Sequence, residues 1–413
     1  MSLRIAHFVQ RYPPAIGGAE SYFARLSRYL VARGERVQVF TSNALDLEAF
    51  WSPNARTVRP STTVENGVIV HRYPVRHFPC HRYVLKGLSL LPWPRWQAFT
   101  LPCNPITPGM WSDCGRVRDI DLVHATAFPY AWPILCGLHL ARRLKVPFFL
   151  TPFLHLGDIQ NRGNRMRRSY LAPALQGLLH EADRLFVQTH LERQAVLDLG
   201  IPPERVILQG LGVETGECTG GNRAAAEAHW QLPEGEIRIG HLANLSWEKG
   251  TTDLVQAAQL LWQQGLKCRL LLAGPMMPNF RRFWHTLPPS LPVTLLGALS
   301  EAEKRDFYAA CDLFALPSRS DSFGLVLLEA WANGMPCVGY RAGGIAEVIR
   351  HEQDGLLVDC DDIPSLAQAL AILLRNETKR QAFGRTGQQR VQTEHRWEPK
   401  LTLVRQSYPL LVR

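Results

Sequence analysis

At 413 residues, 46% apolar and 20% charged, the chain is too long for one typical domain, suits two of about 200 residues, and is too apolar for wholesale disorder. Its formal net charge is +10, with about 15 Lys and Arg against 7 Asp and Glu in residues 1–120. A basic face of this kind could meet an anionic membrane surface or an acidic glycan, and with no nucleic-acid motif beside it nucleic acid is set aside as a partner. Nine scattered Cys with no C-x-x-C pair read as the reduced thiols of a cytoplasmic protein. Ser2 leads straight into the strand-like RIAHFVQ, and no 18-residue apolar run follows, so neither a signal peptide nor a membrane span is expected.

In chain order, Arg4 to Gln10 reads as a strand and Glu20 to Arg33 as a helix ended by Gly34. The joint between them contains Pro13-Pro14 and Gly17-Gly18-Ala19-Glu20, a glycine-rich turn into a helix that suits close approach of backbone to a ligand. Its spacing is not G-x-G-x-x-G, which argues against a dinucleotide fingerprint. Val37 to Thr41 is a second strand, and Val64 to Tyr73 a strand or a hairpin around Asn66-Gly67. Residues 74–115 break the pattern, being Pro-rich, aromatic and basic (Arg82-Tyr83, Lys86, Leu90-Leu91-Pro92-Trp93-Pro94-Arg95-Trp96). That composition fits a segment lying at a membrane interface, or a surface excursion packed on its domain.

From Asp121 a βα rhythm resumes: DLVHATA, a helix over 131–144, VPFFLT, a helix near 164–180, then DRLFVQT. Such alternation predicts a parallel, doubly wound sheet. The loop holding His155 follows a strand, where ligands of such sheets bind. Thr215 to Arg223, TGECTGGNR, reads as a linker. A second βα series starts at Ile237, with Asn244 and Glu248-Lys249-Gly250 after its first strand.

The most informative stretch is Ser318 to Gly344, SRSDSFGLVLLEAWANGMPCVGYRAGG. Ser322-Phe323-Gly324 leads into a helix beginning at Leu325-Val326, whose first amides would face an anion. Gly334 is placed to cap it, and PCVGY reads as a buried strand. Asp321 and Glu329 would stand roughly 8–12 Å apart, about the span of a ribose, a diphosphate and the start of a sugar. Glu329 lies in a very apolar helix, where a buried carboxylate needs a partner. After Gly343-Gly344, Glu347 reads as a first-turn dipole partner. Amphipathic helices are expected over 365–375, 379–394 and about 397–413.

These motifs resemble the retaining glycosyltransferases of family 4, whose pattern reads P-S-x-x-E-x-F-G-L-V-x-L-E-A followed by G-x-P-V and G-G. Pro317-Ser318, Phe323-Gly324-Leu325-Val326, Leu328-Glu329-Ala330, Gly334-Met335-Pro336 and Gly343-Gly344 match it, with Asp321 at the first acid in place of Glu. The 13–20 joint resembles the family's P-x-x-G-G-x-E loop, and Glu248-Lys249-Gly250 its E-K-G. The resemblance implies an α/β GT-B fold of two Rossmann-like domains facing across a cleft: 1–213 binding acceptor, 214–396 binding donor, and a final helix, about 397–413, crossing back.

It further implies transfer of a sugar from a nucleotide-diphosphate-sugar donor with retention and without a metal. Lys249 would neutralise the diphosphate, helped by the amides of Ser322 to Val326. Glu329 would take the ribose, Asp321 and His155 the sugar, and Gly17 and Gly18 would line the cleft. The family's usual Arg is replaced by Asn244, which cannot make a bidentate phosphate contact; Arg319 and Arg341 are the nearest candidates to compensate. The acceptor would be a glycan or lipid-linked saccharide, in cell-surface polysaccharide assembly at the cytoplasmic side of a membrane. A nucleotide-sugar epimerase of the same fold and a degenerate, non-catalytic transferase-like subunit are the alternatives.

Overall fold

The computed structural model describes residues 2–409, so the last positions of the expected terminal helix lie outside the described residues. Two compact units emerge. The first comprises residues 2–154, Arg167–Gln209 and residues 401–409; the second comprises His155–Met166 and Gly210–Lys400.

In the first unit the strands are β1 (Arg4–Val9), β2 (Arg36–Ser42), β3 (Ser61–Glu65), β4 (Val68–Tyr73), β5 (Leu122–Ala125), β6 (Phe148–Leu150), β7 (Arg184–Val187) and β8 (Val206–Leu208). They form one sheet in the order β3-β4-β2-β1-β5-β6-β7-β8, parallel except for β3, which pairs antiparallel with β4 across the Asn66-Gly67 turn. Ile5, Phe8, Val9, Leu122 and Phe149 are buried, the continuous apolar reading of a sheet covered on both faces. The expected single helix near 164–180 is two, Arg165–Tyr170 and Pro173–Glu181, because Pro173 can open a helix but not continue one.

The second unit carries β9 (Ile237–Leu242), β10 (Cys268–Ala273), β11 (Val293–Gly297), β12 (Leu313–Leu316), β13 (Cys337–Tyr340) and β14 (Gly355–Val358). All are parallel, in the order β11-β10-β9-β12-β13-β14. Ile239, Leu254, Leu270, Leu313, Val338 and Leu370 anchor its core. The chain reverses direction across the sheet between β9 and β12, the switch point outside which open α/β sheets bind ligands.

Two segments sit differently from a plain cut near residue 213. His155–Met166 groups with the second unit, because its backbone pairs there: Asp158 bridges Ala342, and the Gly343 amide donates to the Gly157 carbonyl (2.7 Å). The stretch read as a linker is packed: Thr215–Cys218 is a helical turn, Cys218 is buried, and a Cβ on Gly221 would fall 2.0 Å from the Arg305 carbonyl oxygen. Glycine there permits backbone contact with the helix Glu301–Ala310. Over 74–115 the chain forms three short helices, His81–Leu88, Pro94–Phe99 and Pro108–Cys114.

Candidate active site

Three loops leave the carboxyl ends of adjacent strands β9, β12 and β13, and their backbones touch. The Arg319 amide donates to the Glu248 carbonyl at 2.9 Å, and the Gly344 amide to the Asp321 carbonyl at 2.9 Å. Contact this close leaves no room for side chains. A Cβ on Gly250, which sits at φ +69°, would lie 1.8 Å from the Pro317 oxygen, and one on Gly344 2.0 Å from the Ser322 oxygen. The glycines of E-K-G and of G-G are thus steric requirements of loop against loop.

This stitching sets Lys249 Nζ 2.7 Å from Asp321 Oδ1, both side chains being largely buried. The other carboxylate oxygen, Oδ2, is buried and accepts no hydrogen bond. Burial alone would raise the Asp321 carboxyl; the charge and hydrogen bond of Lys249 outweigh it and hold the group below its ordinary range. His155, half-buried, belongs to the same cluster. Burial and the Lys249 charge push its imidazole down to about 4, against the opposing pull of Asp321 and a hydrogen bond with the Ser320 backbone. It is neutral at pH 7, and its ring can donate or accept hydrogen bonds without carrying charge.

Immediately after Asp321, Gly324 at φ +89° turns the chain into the helix Leu325–Ala332. In its first turn the Leu327 amide donates to the Gly324 carbonyl at 2.9 Å, while those of Leu325 and Val326 have no helical residue four positions back to donate to, which makes this end receptive to an anion. Phe323 is buried beneath it, with its ring edge toward His395. Glu329 lies one turn into the helix and has the partners its apolar surroundings demand: Tyr308 Oη donates to Oε2 at 2.6 Å and Lys304 Nζ to Oε1 at 3.2 Å. Both come from the helix Glu301–Ala310, one turn apart on one face. Sequence reading passed over this pair; the signal was a Lys and a Tyr at i and i+4 on one face of a helix.

Asn244 is exposed on the β9 loop. Arg319 does not replace the missing guanidinium, because its own is already engaged: Nε donates to Asp361, Nη1 to the Trp247 carbonyl, and Nη2 to Asp253 and Asp361, while the plane stacks on Trp247. Arg341 stands 3.4 Å from Asp359. Of Lys249, Arg319 and Arg341, Lys249 is the one whose carboxylate partner is Asp321 itself, and it stands beside the start of the helix Leu325–Ala332.

In the first unit, Gly17 and Gly18 follow β1, the strand at which that sheet also switches direction. A Cβ on Gly17 would meet Glu20 Oε2 at 2.2 Å. The Glu20 carboxylate is buried there, 2.7 Å from Arg11 Nη2 and 3.1 Å from Gln10 Nε2. Gly18 faces open space. No group of three or more His, Cys, Asp or Glu side chains among the described residues could hold a metal ion.

Residues 17–212 match the model of the glycosyl transferase 4-like domain, and residues 222–390 that of the glycosyl transferases group 1. The chain is a glycosyltransferase of this GT-B family. It is 28% identical to D-inositol 3-phosphate glycosyltransferase of Acidothermus cellulolyticus over 377 residues, 87% of this chain and 78% of that one. Against 2-deoxystreptamine N-acetyl-D-glucosaminyltransferase of Streptomyces fradiae it is 27% identical, covering 86% and 82%. Among solved structures, sucrose-phosphate synthase of Thermosynechococcus elongatus superposes with a TM-score of 0.76 at 20% identity over 99% of both chains. HepE of Anabaena in complex with UDP-glucose gives 0.72 at 18%, covering 98% and all of that chain. As a glycosyltransferase, the chain moves a sugar from a donor to an acceptor.

Proposed function

We propose that the transferase acts with retention of configuration, delivering the sugar to a hydroxyl of a saccharide or lipid-linked saccharide, with Lys249 and helix amides serving in place of a metal. The observation that carries this reading is the Lys249–Asp321 pair at the start of the helix Leu325–Ala332. A leaving nucleoside diphosphate gains charge as its bond to the sugar breaks, and a fixed cation beside unpaired amides stabilises that charge where it develops.

In this reading the diphosphate lies over Lys249 and the amides of Phe323 to Val326, and Glu329, held by Lys304 and Tyr308, accepts from the ribose hydroxyls. Asp321 Oδ2, a buried acceptor without a donor, takes a sugar hydroxyl, since an orphaned buried oxygen costs about 1–3 kcal/mol until it is satisfied. Neutral His155 contributes a second polar contact to the sugar. The bond from the anomeric carbon to phosphate breaks as the acceptor oxygen attacks on the same face, and the departing phosphate oxygen takes the acceptor's proton. No carboxylate is a nucleophile. Gly18 and the open pocket of about 470 Å³ lined by Pro13, Pro14, Arg59 and Arg72 are our candidates for the acceptor side.

Asp321→Asn separates the two halves of the donor. Nucleoside diphosphate binding by the variant should stay within about threefold of the parent while sugar transfer falls at least about a hundredfold. Equal loss of both, or of neither, contradicts the assignment of Asp321 to the sugar.

A further inference from the structure

We propose that the face built by residues 82–96 is a docking surface for an anionic lipid bilayer. The helix His81–Leu88 is attached to its domain by only two buried side chains, His81 and Leu85, one turn apart. Everything else on it faces outward, including Tyr83, Val84 and Leu88. A helix on a globular domain ordinarily turns its apolar stripe inward; this one presents apolar side chains on its solvent side as well.

The exposed apolar surface continues into the following loop and helix, where Leu90 is 78% and Trp93 62% exposed and Trp96 also stands at the surface. Trp96 Nε1 donates to the Leu88 carbonyl at 2.9 Å, which fixes the second helix to the first and makes the patch one piece. A contiguous surface of Trp, Tyr and Leu marks a place where something else excludes water.

Charge selects the occupant. Arg82, Lys86 and Arg95 lie within the patch, all exposed. Between Glu65 and Asp113 the sequence has no Asp or Glu at all. Aromatic side chains interleaved with cations, and with no acid to repel phosphate, complement the headgroup region of an anionic leaflet, where indole rings sit at the interface and Lys and Arg reach the phosphates. A protein interface core is also rich in Trp, Tyr and Arg; what favours a phosphate surface here is cations with no acid among them. No helix among the described residues is long and apolar enough to cross a membrane, so the attachment is by a face.

The inference uses the transferase assignment only for what it would serve: a lipid-borne acceptor sugar would be delivered at the same surface. The test is flotation of the full chain with vesicles of phosphatidylcholine alone and of phosphatidylcholine with phosphatidylglycerol, at low and physiological salt. Two double variants are compared, Leu90→Ser with Trp93→Ser and Lys86→Gln with Arg95→Gln, and nucleoside diphosphate thermal shift reports the donor site separately. We expect at least about tenfold stronger binding to the anionic vesicles, weakened roughly fivefold per cation removed and largely lost in the Leu90/Trp93 variant, with the nucleotide shift unchanged. Equal partition of parent and variants overturns the proposal. So does concentration-dependent self-association that the Leu90/Trp93 variant abolishes while vesicles bind neither protein, since the face would then cover a second copy of the chain. Loss of the nucleotide response in the parent would fault the transferase site and leave the flotation result to stand on its own.

Discussion

The β9–β12 switch of the second unit and the 82–96 face of the first differ in what determines their residues. In the switch, each loop residue answers to another atom of the same chain: Gly250 to the Pro317 oxygen, Gly344 to the Ser322 oxygen, Arg319 to Asp253 and Asp361, Glu329 to Tyr308 and Lys304. On the 82–96 face two buried side chains anchor a helix, and its remaining apolar side chains, Tyr83, Val84 and Leu88, are exposed. The first region has residue types explained by internal contact, apart from a few groups left over, and those leftovers (Asp321 Oδ2 and the amides of Leu325 and Val326) are where we place the donor. The second is almost all leftover, and its explanation lies outside the chain.

Substitutions sharpen this contrast. The largest effect should come from Asp253→Ala, which strips a buried carboxylate from Arg319 and from the Tyr340 hydroxyl (2.6 Å). Breaking such a pair on one side costs about 3–5 kcal/mol, so urea denaturation should show its midpoint fall steeply; an unchanged midpoint would mean that the switch loops are not held as described. Lys249→Ala is expected to lower turnover by about 10²–10³ with the fold intact, and near-normal turnover would remove the cation from the mechanism.

Acid should reveal the buried histidines. His241, bonded to the Ala315 carbonyl and the Thr251 hydroxyl, is pushed down to about 4 by burial. The unfolded chain, with an ordinary imidazole near 6.5, binds more protons between those values, so the stabilisation is complete above about pH 6.5 and lost as pH falls toward 4. Each such residue is worth on the order of 3 kcal/mol, and a melting temperature that stays level down to pH 4 would contradict the burial. Tyr308→Phe, removing one hydrogen bond to Glu329, should weaken nucleotide binding about five- to tenfold. At the far end of the scale, Leu90→Ser with Trp93→Ser should change stability by no more than about 0.5 kcal/mol. A large loss there would turn the exposed face into ordinary packing and erase the contrast.

Much of this architecture was legible in the sequence because it is local. The βα alternation, the Asn66-Gly67 turn, Gly324 and Gly334 bounding the helix that carries Glu329, and the motif residues Lys249 and Asp321 all depend on neighbours a few positions away. What stayed hidden depends on pairs far apart in the chain. Nothing near Gly250 announces Pro317, and nothing near Glu329 names Tyr308. Arg319 looked available for a phosphate because Asp253 lies 66 positions away. His155 was read with the first domain because it follows β6, yet its segment pairs backbone to backbone with residues 341–343. The TGECTGGNR stretch read as a linker because glycine signals flexibility and close packing alike, and only the helix behind Gly221 tells the two apart.

The most direct test is calorimetric titration of the parent and of Glu329→Ala with UDP, GDP and ADP. The account predicts that the parent binds one of the three nucleotides in clear preference and that the variant, still folded, loses at least about tenfold of that affinity, because the hydrogen bonds of a carboxylate to ribose are each worth about 1.5–3 kcal/mol. Equal affinity in the two proteins would contradict it, placing the nucleotide somewhere other than the helix Leu325–Ala332.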